Sequence, residues 1–256
     1  MINESELNGF ERMPNVKLTL EYDGGDFNGW QVQPTGRTIQ GELSRALARI
    51  EGKEVTLHAA GRTDSGVHAL GQVVSVRLTS ELGATTLRDA INANVGRDVR
   101  VKNAEFVEDS FHARVHAKQK HYRYQIWNGD VVSPFVRRYV HQHRSRLDLD
   151  SMRAAGGFLI GSHDFRGFTV TASDVETTVR TIERLEVEKS GDIISIAVSA
   201  NGFLRYMVRA IAGTLIEIGR GYLPVETVRE VIASGDRSLA GPTAPALGLT
   251  LMQVDY

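Results

Sequence analysis

The chain has 256 residues, 30 Lys and Arg against 31 Asp and Glu, a net charge of −1 and no cysteine. A chain of this length can bury a large core, and the lack of Cys excludes disulfide scaffolds, Cys-ligated zinc, iron–sulfur clusters and thiol nucleophiles. No apolar run approaches the roughly 18 residues that span a bilayer, and the polar first fifteen residues lack a signal-peptide core. We therefore expect a cytoplasmic protein without a membrane partner, and the near-neutral total charge argues against a nucleic-acid partner.

Hydrophobic patterning in the first half of the chain predicts strands and two helices. Residues 15–22 alternate apolar and polar side chains, which is typical of a half-buried strand. Residues 38–51 repeat apolar side chains at helical spacing, with Thr38 as the N-cap and Gly52 as the stop. Further strands are predicted at 55–59, 72–78 and 99–107, and a helix at 87–95.

The second half has a similar pattern. Strands are predicted at 121–127, 179–189, 192–200 and 249–256, and helices at 151–160, 203–218 and 224–233. Strands joined by hairpins, with few helices, favour an α+β fold with a mainly antiparallel sheet. We expect an N-terminal tail at 1–14, then two similar α/β lobes at 15–115 and 116–256, with the active-site cleft between them.

The distribution of charge along the chain weakens the argument against a nucleic-acid partner that rests on the total charge. The 35 residues from His112 to Arg146 carry a net charge of +7, so the other 221 residues sum to −8. Aromatic residues are interleaved with these cations, as in surfaces that bind a polyanion and stack on its bases. The segment thus favours contact with nucleic acid over an ordinary solvated surface.

The segment Gly61-Arg62-Thr63-Asp64-Ser65-Gly66 offers a carboxylate on a tight loop between two strands. Glycine at both ends permits backbone angles that other residues avoid. Arg62, two residues before Asp64, could lower the pKa of its carboxyl and keep it ionised, as a nucleophile or base requires. An ordinary Asp-Ser-Gly turn is the alternative. Aspartic proteases also use an Asp-Ser/Thr-Gly loop, but they need two, and this chain has one.

Five segments in order resemble the TruA-type tRNA pseudouridine synthases. The strongest is AGRTDSGVHALGQVV around Asp64, which is similar to the family signature G-R-T-D-[AS]-G-V-H-A. The others are LEYDGGDFNGWQVQPTGRTIQGEL, SFHAR followed by KHYRYQIWN, ANGFLRYMVRAIAGTL and GPTAPALGLTL. Together they cover about residues 16–256, and the joint pattern is far more specific than any one piece.

This resemblance implies the pseudouridine synthase fold and an isomerase that converts uridine to pseudouridine in the tRNA anticodon stem-loop, at positions 38, 39 and 40. The reaction needs no cofactor, and the chain has no P-loop or dinucleotide motif. The resemblance further implies tRNA as the partner and a homodimer. The apolar helix predicted at 203–218 and an edge of the sheet are the surfaces that could form the interface of such a dimer. His112 with His116, and His141 with His143, have spacings like those of metal ligands, but no metal site is expected there.

The resemblance also assigns site residues. Asp64 is the essential carboxylate, which either adds to ribose C1′ or removes the C2′ proton; the sequence leaves both routes open. Arg209 pairs with it, and Arg62 helps to flip the target nucleotide. Tyr122 stacks on the uracil, with its hydroxyl placed for proton work at C5, and Leu249 packs on the same base.

Contacts with RNA phosphates are assigned to the basic segment, residues 112–146, which includes Arg123, and to Arg37. Ser65 stands where Ala is commoner in the family, and His68 is expected to be structural or RNA-facing. Two other classes stay open: a non-catalytic RNA-binding protein that uses the same basic surface, and an aspartic protease that pairs Asp64 across a dimer axis.

Overall fold

A computed structural model describes residues 13–169 and 176–256. The strands are β1 (Asn15–Tyr22), β2 (Leu57–Ala59), β3 (His68–Arg77), β4 (Val99–Val107), β5 (Gln119–Trp127), β6 (His141–Gln142), β7 (Gly161–Asp164), β8 (Val179–Ser190), β9 (Ile193–Ala200) and β10 (Leu249–Asp255). The helices are α1 (Ile39–Glu51), α2 (Ala84–Asn94), α3 (Leu149–Gly157), α4 (Met207–Gly219) and α5 (Thr227–Ser234). Most of the predicted tail lies outside the described residues.

The strands form one sheet in the order β4-β1-β3-β10-β5-β9-β8-β7, with β2 added to β3 and β6 to β5. Six of the seven pairings in that row are antiparallel; in the third, β10 runs parallel to β3 and Thr250 stands opposite His68. The predicted α+β class with a mainly antiparallel sheet is confirmed. Strands of the segment 15–115 form one side of the parallel contact, and strands of 116–256 form the other; the division into lobes at 115/116 stays a prediction.

Paired residues share a face of the sheet, so one row of side chains can be followed across it. The row reads Tyr22, Ala69, Leu251, Tyr122, Val198 and Leu185. All six are buried, and α3 packs against this face, where Gly156 meets Leu185. Because β3 and β10 are parallel, both strands begin at the same end of the sheet. The segments that precede them therefore lie close together.

Local signals in the sequence explain the best-predicted element, α1. The Thr38 side chain accepts a hydrogen bond from the Gly41 N–H, and Gly52 ends the helix with φ of 69°. Ile39, Leu43 and Leu47 are fully buried, as their spacing predicts.

Other elements differ from the predictions. The strands β6 and β7 were not expected, and α4 begins at Met207 rather than Phe203 because Tyr206 has φ of 62°, which is outside the helical range. The predicted helix 203–218 was also offered as an interface. That expectation is wrong, because α4 is buried inside the chain on nearly all sides, from Met207 to Gly219.

Gly213 controls the distance between α4 and residues 241–244. A Cβ on Gly213 would lie 1.7 Å from the Pro242 carbonyl oxygen. We expect Gly213→Ala to lower the free energy of unfolding by about 2 kcal/mol, the usual cost of overpacking. Gly157→Ala, on the open end of α3 with nothing within 4 Å of its Cβ, should leave it unchanged or slightly higher. Chemical denaturation of both variants checks this, and equal stabilities would contradict it.

Candidate active site

The loop that carries Asp64 connects β2 to β3 and is held in place by the Gly-rich segment after β1. The Trp30 N–H donates to the Thr63 carbonyl (3.0 Å), and the Ser65 hydroxyl donates to the Phe27 carbonyl (3.1 Å). Gly29, with φ of 87°, allows this approach, because a Cβ there would lie 2.8 Å from the Thr63 oxygen. The conformation of the loop therefore depends on a segment some 35 residues earlier.

The loop is also fixed from the sheet. The Tyr22 hydroxyl hydrogen-bonds the Thr63 hydroxyl at 2.9 Å, and the Gln72 amide donates to the Gly61 carbonyl at 2.9 Å. Gly66 has φ of 79°, as its position in the loop predicts. The same expectation for Gly61 is wrong, because its φ is not positive.

Asp64 points towards the N-terminal turn of α4. Its Oδ2 accepts a hydrogen bond from Arg209 Nη1 at 3.3 Å, and the two side chains are only 22% and 15% exposed. Arg209 is itself held by Nε, which donates to the Ala244 carbonyl at 2.8 Å. The predicted partner of the carboxylate thus stands in contact with it, although 145 residues separate the two in sequence.

Burial raises the pKa of Asp64, and the positive charges of Arg209 and Arg205 act against that rise. The expectation that Arg62 lowers the pKa is wrong. Arg62 is exposed, and within the described ranges it forms no ion pair. The cation that stabilises the ionised carboxylate comes from a distant helix and not from the loop itself.

A cavity of about 400 Å³ opens over this pair, a size typical of small-molecule sites. Its walls are formed by Asp64, Ser65, Tyr206, Arg209 and Thr243. A carboxylate and a guanidinium at the base of an open cavity can hold a polar planar ring and act on the atoms beside it.

Tyr206 is a wall residue that the sequence reading missed. It is the non-glycine residue with positive φ among those described, and such strain is concentrated at functional sites. The guanidinium carbons of Arg205 and Arg209 lie 5.0 and 5.1 Å from its ring centre. Only the RYMVR part of the quoted motif could have drawn attention to it.

Two of the residues predicted to contact the base lie on the buried face of the sheet. Tyr122 is 8% exposed and meets Phe203 edge-to-face with ring centres 5.1 Å apart. Burial raises the pKa of its phenol, and the charges of Tyr22 and Asp64 raise it further. Leu249 is 5% exposed at the start of β10, opposite Tyr124.

The two arginines assigned to phosphate lie elsewhere. Arg123 is exposed on β5, and because side chains alternate along a strand it faces away from Tyr122. Arg37 is already paired, with Asp98 at 2.9 Å and Glu42 at 3.3 Å, and it stacks on Phe27. The structure therefore brings neither guanidinium to the cavity.

His68 is buried and accepts a hydrogen bond from the Gly24 N–H at 3.0 Å, which makes it structural. Next to it, Arg138 of the basic segment bonds Asp23 at 2.9 Å and Asp26 at 2.8 Å. This clamp, formed by Arg138, Asp23 and Asp26, ties the loop after β5 to the segment after β1.

Two of the histidines that were considered as metal ligands, His112 and His116, accept hydrogen bonds from the backbone of their own loop. His112 Nδ1 accepts the N–H groups of Arg114 and Val115, and His116 Nδ1 accepts that of His112. Within residues 13–169 and 176–256, no three His, Cys, Asp or Glu side chains are grouped as a metal site would need. In the same ranges, no helix has the length and apolar character to cross a membrane.

Comparison with known proteins decides the family. The model of the family described as "tRNA pseudouridine synthase" matches residues 19–114 and 157–256. This chain belongs to that family. The reaction of the family is an isomerisation of uridine to pseudouridine in tRNA, so the chain is an isomerase.

Individual relatives agree with the family model. The tRNA pseudouridine synthase A of Moorella thermoacetica is 45% identical over 246 residues, covering 95% of this chain and 100% of the relative. The protein of the same name from Brevibacillus brevis is 43% identical over 244 residues, with the same coverage of both chains. A chain from the solved Cbf5–Nop10–Gar1 complex is 12% identical with a TM-score of 0.33, covering 92% of this chain and 57% of that one. At that level of similarity it adds nothing to the assignment.

The raised pKa of Asp64 predicts the sign of its effect on stability. A carboxyl whose pKa is raised by folding stabilises the fold below its unfolded value of about 3.9, and this contribution is lost as the pH rises through the folded pKa. At pH 7, Asp64→Asn should therefore have a melting temperature equal to or above that of the wild type, and the difference should shrink towards pH 3.

Asp164→Asn is a control with the opposite sign. Although burial opposes it, hydrogen bonds from Thr178 and Arg166 lower the pKa of Asp164. Its contribution is present above the unfolded value, so this variant should melt lower than the wild type at pH 7. Thermal unfolding from pH 3 to 7 checks both; a lower melting temperature for Asp64→Asn at pH 7 would contradict the prediction.

Proposed function

We propose that the enzyme converts uridine to pseudouridine in the anticodon stem-loop of tRNA, at positions 38, 39 and 40, with Asp64 as the essential nucleophile or base. The observation that carries the proposal is the pairing of Asp64 with Arg209 at the base of the cavity. An ion pair keeps a half-buried carboxylate charged, and only the charged form can attack C1′ or accept the C2′ proton.

The reaction balances without a co-reactant. The C1′–N1 bond breaks, C5 bonds to C1′, the proton on C5 leaves, and N1 gains a proton. Asp64 serves either route. It forms a bond to C1′ that breaks when C5 bonds to C1′, or it takes the C2′ proton and returns it to C2′ as C5 bonds to C1′. Arg209 holds the carboxylate in place while its charge changes.

For Tyr122, stacking on the uracil is favoured over removal of the C5 proton. The raised pKa of its phenol means that the hydroxyl keeps its proton at neutral pH and is a weak base. Leu249, at the start of β10, is proposed to pack on the same base. Arg62 is exposed beside Asp64, and we assign it to the space that the flipped nucleotide leaves.

The basic segment supplies the electrostatic surface. Its exposed cations without ion pairs among the described residues are Arg114, Lys118, Arg123, Arg137, Arg144 and Arg146. Arg123 would meet RNA outside the cavity, and Arg37 would do so only with its charge shared with Asp98 and Glu42. We propose a cytoplasmic homodimer, in which this surface extends over both copies; the molar mass in solution tests the dimer.

An aspartic protease is disfavoured by the environment of Asp64. Such enzymes place two carboxylates close enough to share a proton, whereas the ionic partner of Asp64 is a guanidinium. A non-catalytic RNA-binding protein has no use for a carboxylate held at the base of a cavity.

Asp64→Asn tests the proposed chemistry. Unmodified tRNA transcript carrying C5-tritiated uridine should release tritium with the wild type in the absence of any cofactor. The variant should lose at least about 10³-fold in rate, as is usual when an essential nucleophile is removed, but should still bind the tRNA. Mapping the modified positions tests the anticodon stem-loop.

Two results would contradict the proposal. Undiminished tritium release from Asp64→Asn would remove Asp64 from the mechanism, and a wild type that binds tRNA without releasing tritium would favour the RNA-binding protein. Cleavage of a protein substrate that a pepstatin-type compound inhibits would instead support the protease.

Arg209→Gln tests the electrostatic role of the ion pair. Without the adjacent cation, burial acts unopposed by Arg209, so the pKa of Asp64 should rise further. The acidic limb of the pH profile, measured in single turnover with enzyme in excess, should move to higher pH. Arg205→Gln, which acts on Asp64 only through space, should move it less. A limb that coincides with that of the wild type would show that Arg209 does not set the ionisation of Asp64.

A further inference from the structure

Three cations stand together beside the Asp64 loop. Lys120 lies on β5 two residues before Tyr122, so the two side chains share a face of the sheet. Its ammonium lies against Gly61, where a Cβ would be 3.5 Å from Nζ. Lys120 stands opposite Ala200 on β9, and Ala200 pairs with Ile182 on β8. Arg180, two residues before Ile182, therefore shares this face of the sheet. The charges of Arg114 and Arg180 both act on the ammonium and lower the pKa of Lys120.

No described carboxylate pairs with the cluster formed by Arg114, Lys120 and Arg180. Arg180 uses Nη1 to donate to the carbonyls of Thr177 and Val179, and in the described chain Nη2 has no hydrogen-bond partner. Burial first, and then the two arginines, lower the pKa of Lys120 to about 8.

Like charges held together in a half-buried place cost free energy in the empty protein. That cost is recovered when an anion binds between them, which is why clusters of this kind mark anion sites. The site adjoins Gly61, in the loop that carries Arg62 and Asp64. Arg209 and Tyr206, which line the cavity, are carried by α4 and the residue before it.

A strand that delivers a nucleotide to Asp64 carries a phosphodiester on each side of it. We propose that Arg114, Lys120 and Arg180 bind one backbone phosphate of the RNA strand, next to the target nucleotide. This inference rests on the proposed function, because it takes RNA as the substrate. Lys120 is then a positioning residue that sets which nucleotide reaches the cavity without reading its sequence.

Single-atom changes in the RNA test the site. In an anticodon stem-loop, each phosphodiester near the target uridine is replaced in turn by a neutral methylphosphonate, and affinity is measured by fluorescence anisotropy. One replacement should weaken binding to the wild type about ten-fold, the effect of a charge-assisted hydrogen bond. The same replacement should have a clearly smaller effect on Lys120→Gln, because only Arg114 and Arg180 then remain to bind the phosphate.

Lys189→Gln is the matched control. Lys189 is exposed near the end of β8 and forms no ion pair with a described residue, so its loss changes the net charge equally. This variant should keep the full methylphosphonate effect. If Lys120→Gln keeps it too, at every linkage, the phosphate site is wrong.

The pH dependence of binding provides a second readout that does not depend on truncating Lys120. The groups acting on Lys120 are Arg114 and Arg180, which stay charged, so its own proton dominates near pH 8. Wild-type affinity should fall between pH 7 and 8.5 as the ammonium is lost, whereas Lys120→Arg should hold its affinity. An equal fall in both proteins would overturn the proposal.

Tritium release by the wild type distinguishes a failure of the phosphate site from a failure of the proposed function. If the wild type releases tritium but Lys120→Gln retains the full methylphosphonate effect, only the phosphate site fails. If the wild type releases none, the proposed function fails.

Discussion

The contact between Asp64 and Arg209 joins two parts of the chain that no local interaction connects. The carboxylate is carried by a loop beside β3 and the guanidinium by α4, and they meet because β3 and β10 run parallel at the centre of the sheet. The residues before β10 supply the Ala244 carbonyl that fixes Arg209. The ionised state of Asp64 thus depends on the assembly of the whole sheet, which prevents the isolated loop from having the same chemistry.

Charge in this molecule is divided between structure and binding. Arg138 and Arg37 are paired with carboxylates and hold segments together, whereas Lys120, Arg114 and Arg180 pair with no carboxylate in the described part of the chain. A net charge of −1 therefore says little about partners. Ion pairs on a surface contribute little stability, so the unpaired half-buried cations are the more informative ones.

Local patterns predicted most of the fold, because α1 and the strands β1, β4, β8 and β9 carry their periodicity and caps within themselves. Motif resemblance predicted Asp64 and Arg209 as partners, which spacing alone could not, since 145 residues separate them. The source of the charge acting on Asp64 was misread for the same reason: Arg62 is near in sequence but points to solvent. Tyr206 and Arg180 were missed because backbone strain and contacts between distant strands arise from tertiary packing and leave no periodic signal.

The central position of β10 has a consequence for biosynthesis. This strand follows the other nine described strands in sequence yet lies between β3 and β5, so a growing chain must leave a gap in the middle of its sheet. Until residues 249–255 leave the ribosome, both neighbouring strands expose unpaired backbone groups, which are templates for aggregation. The cavity also cannot form early in synthesis, because the Ala244 carbonyl, which accepts the hydrogen bond from Arg209, is made only a few residues before β10. A nascent chain of this enzyme can therefore expose basic surface to RNA before it has a site that could modify it.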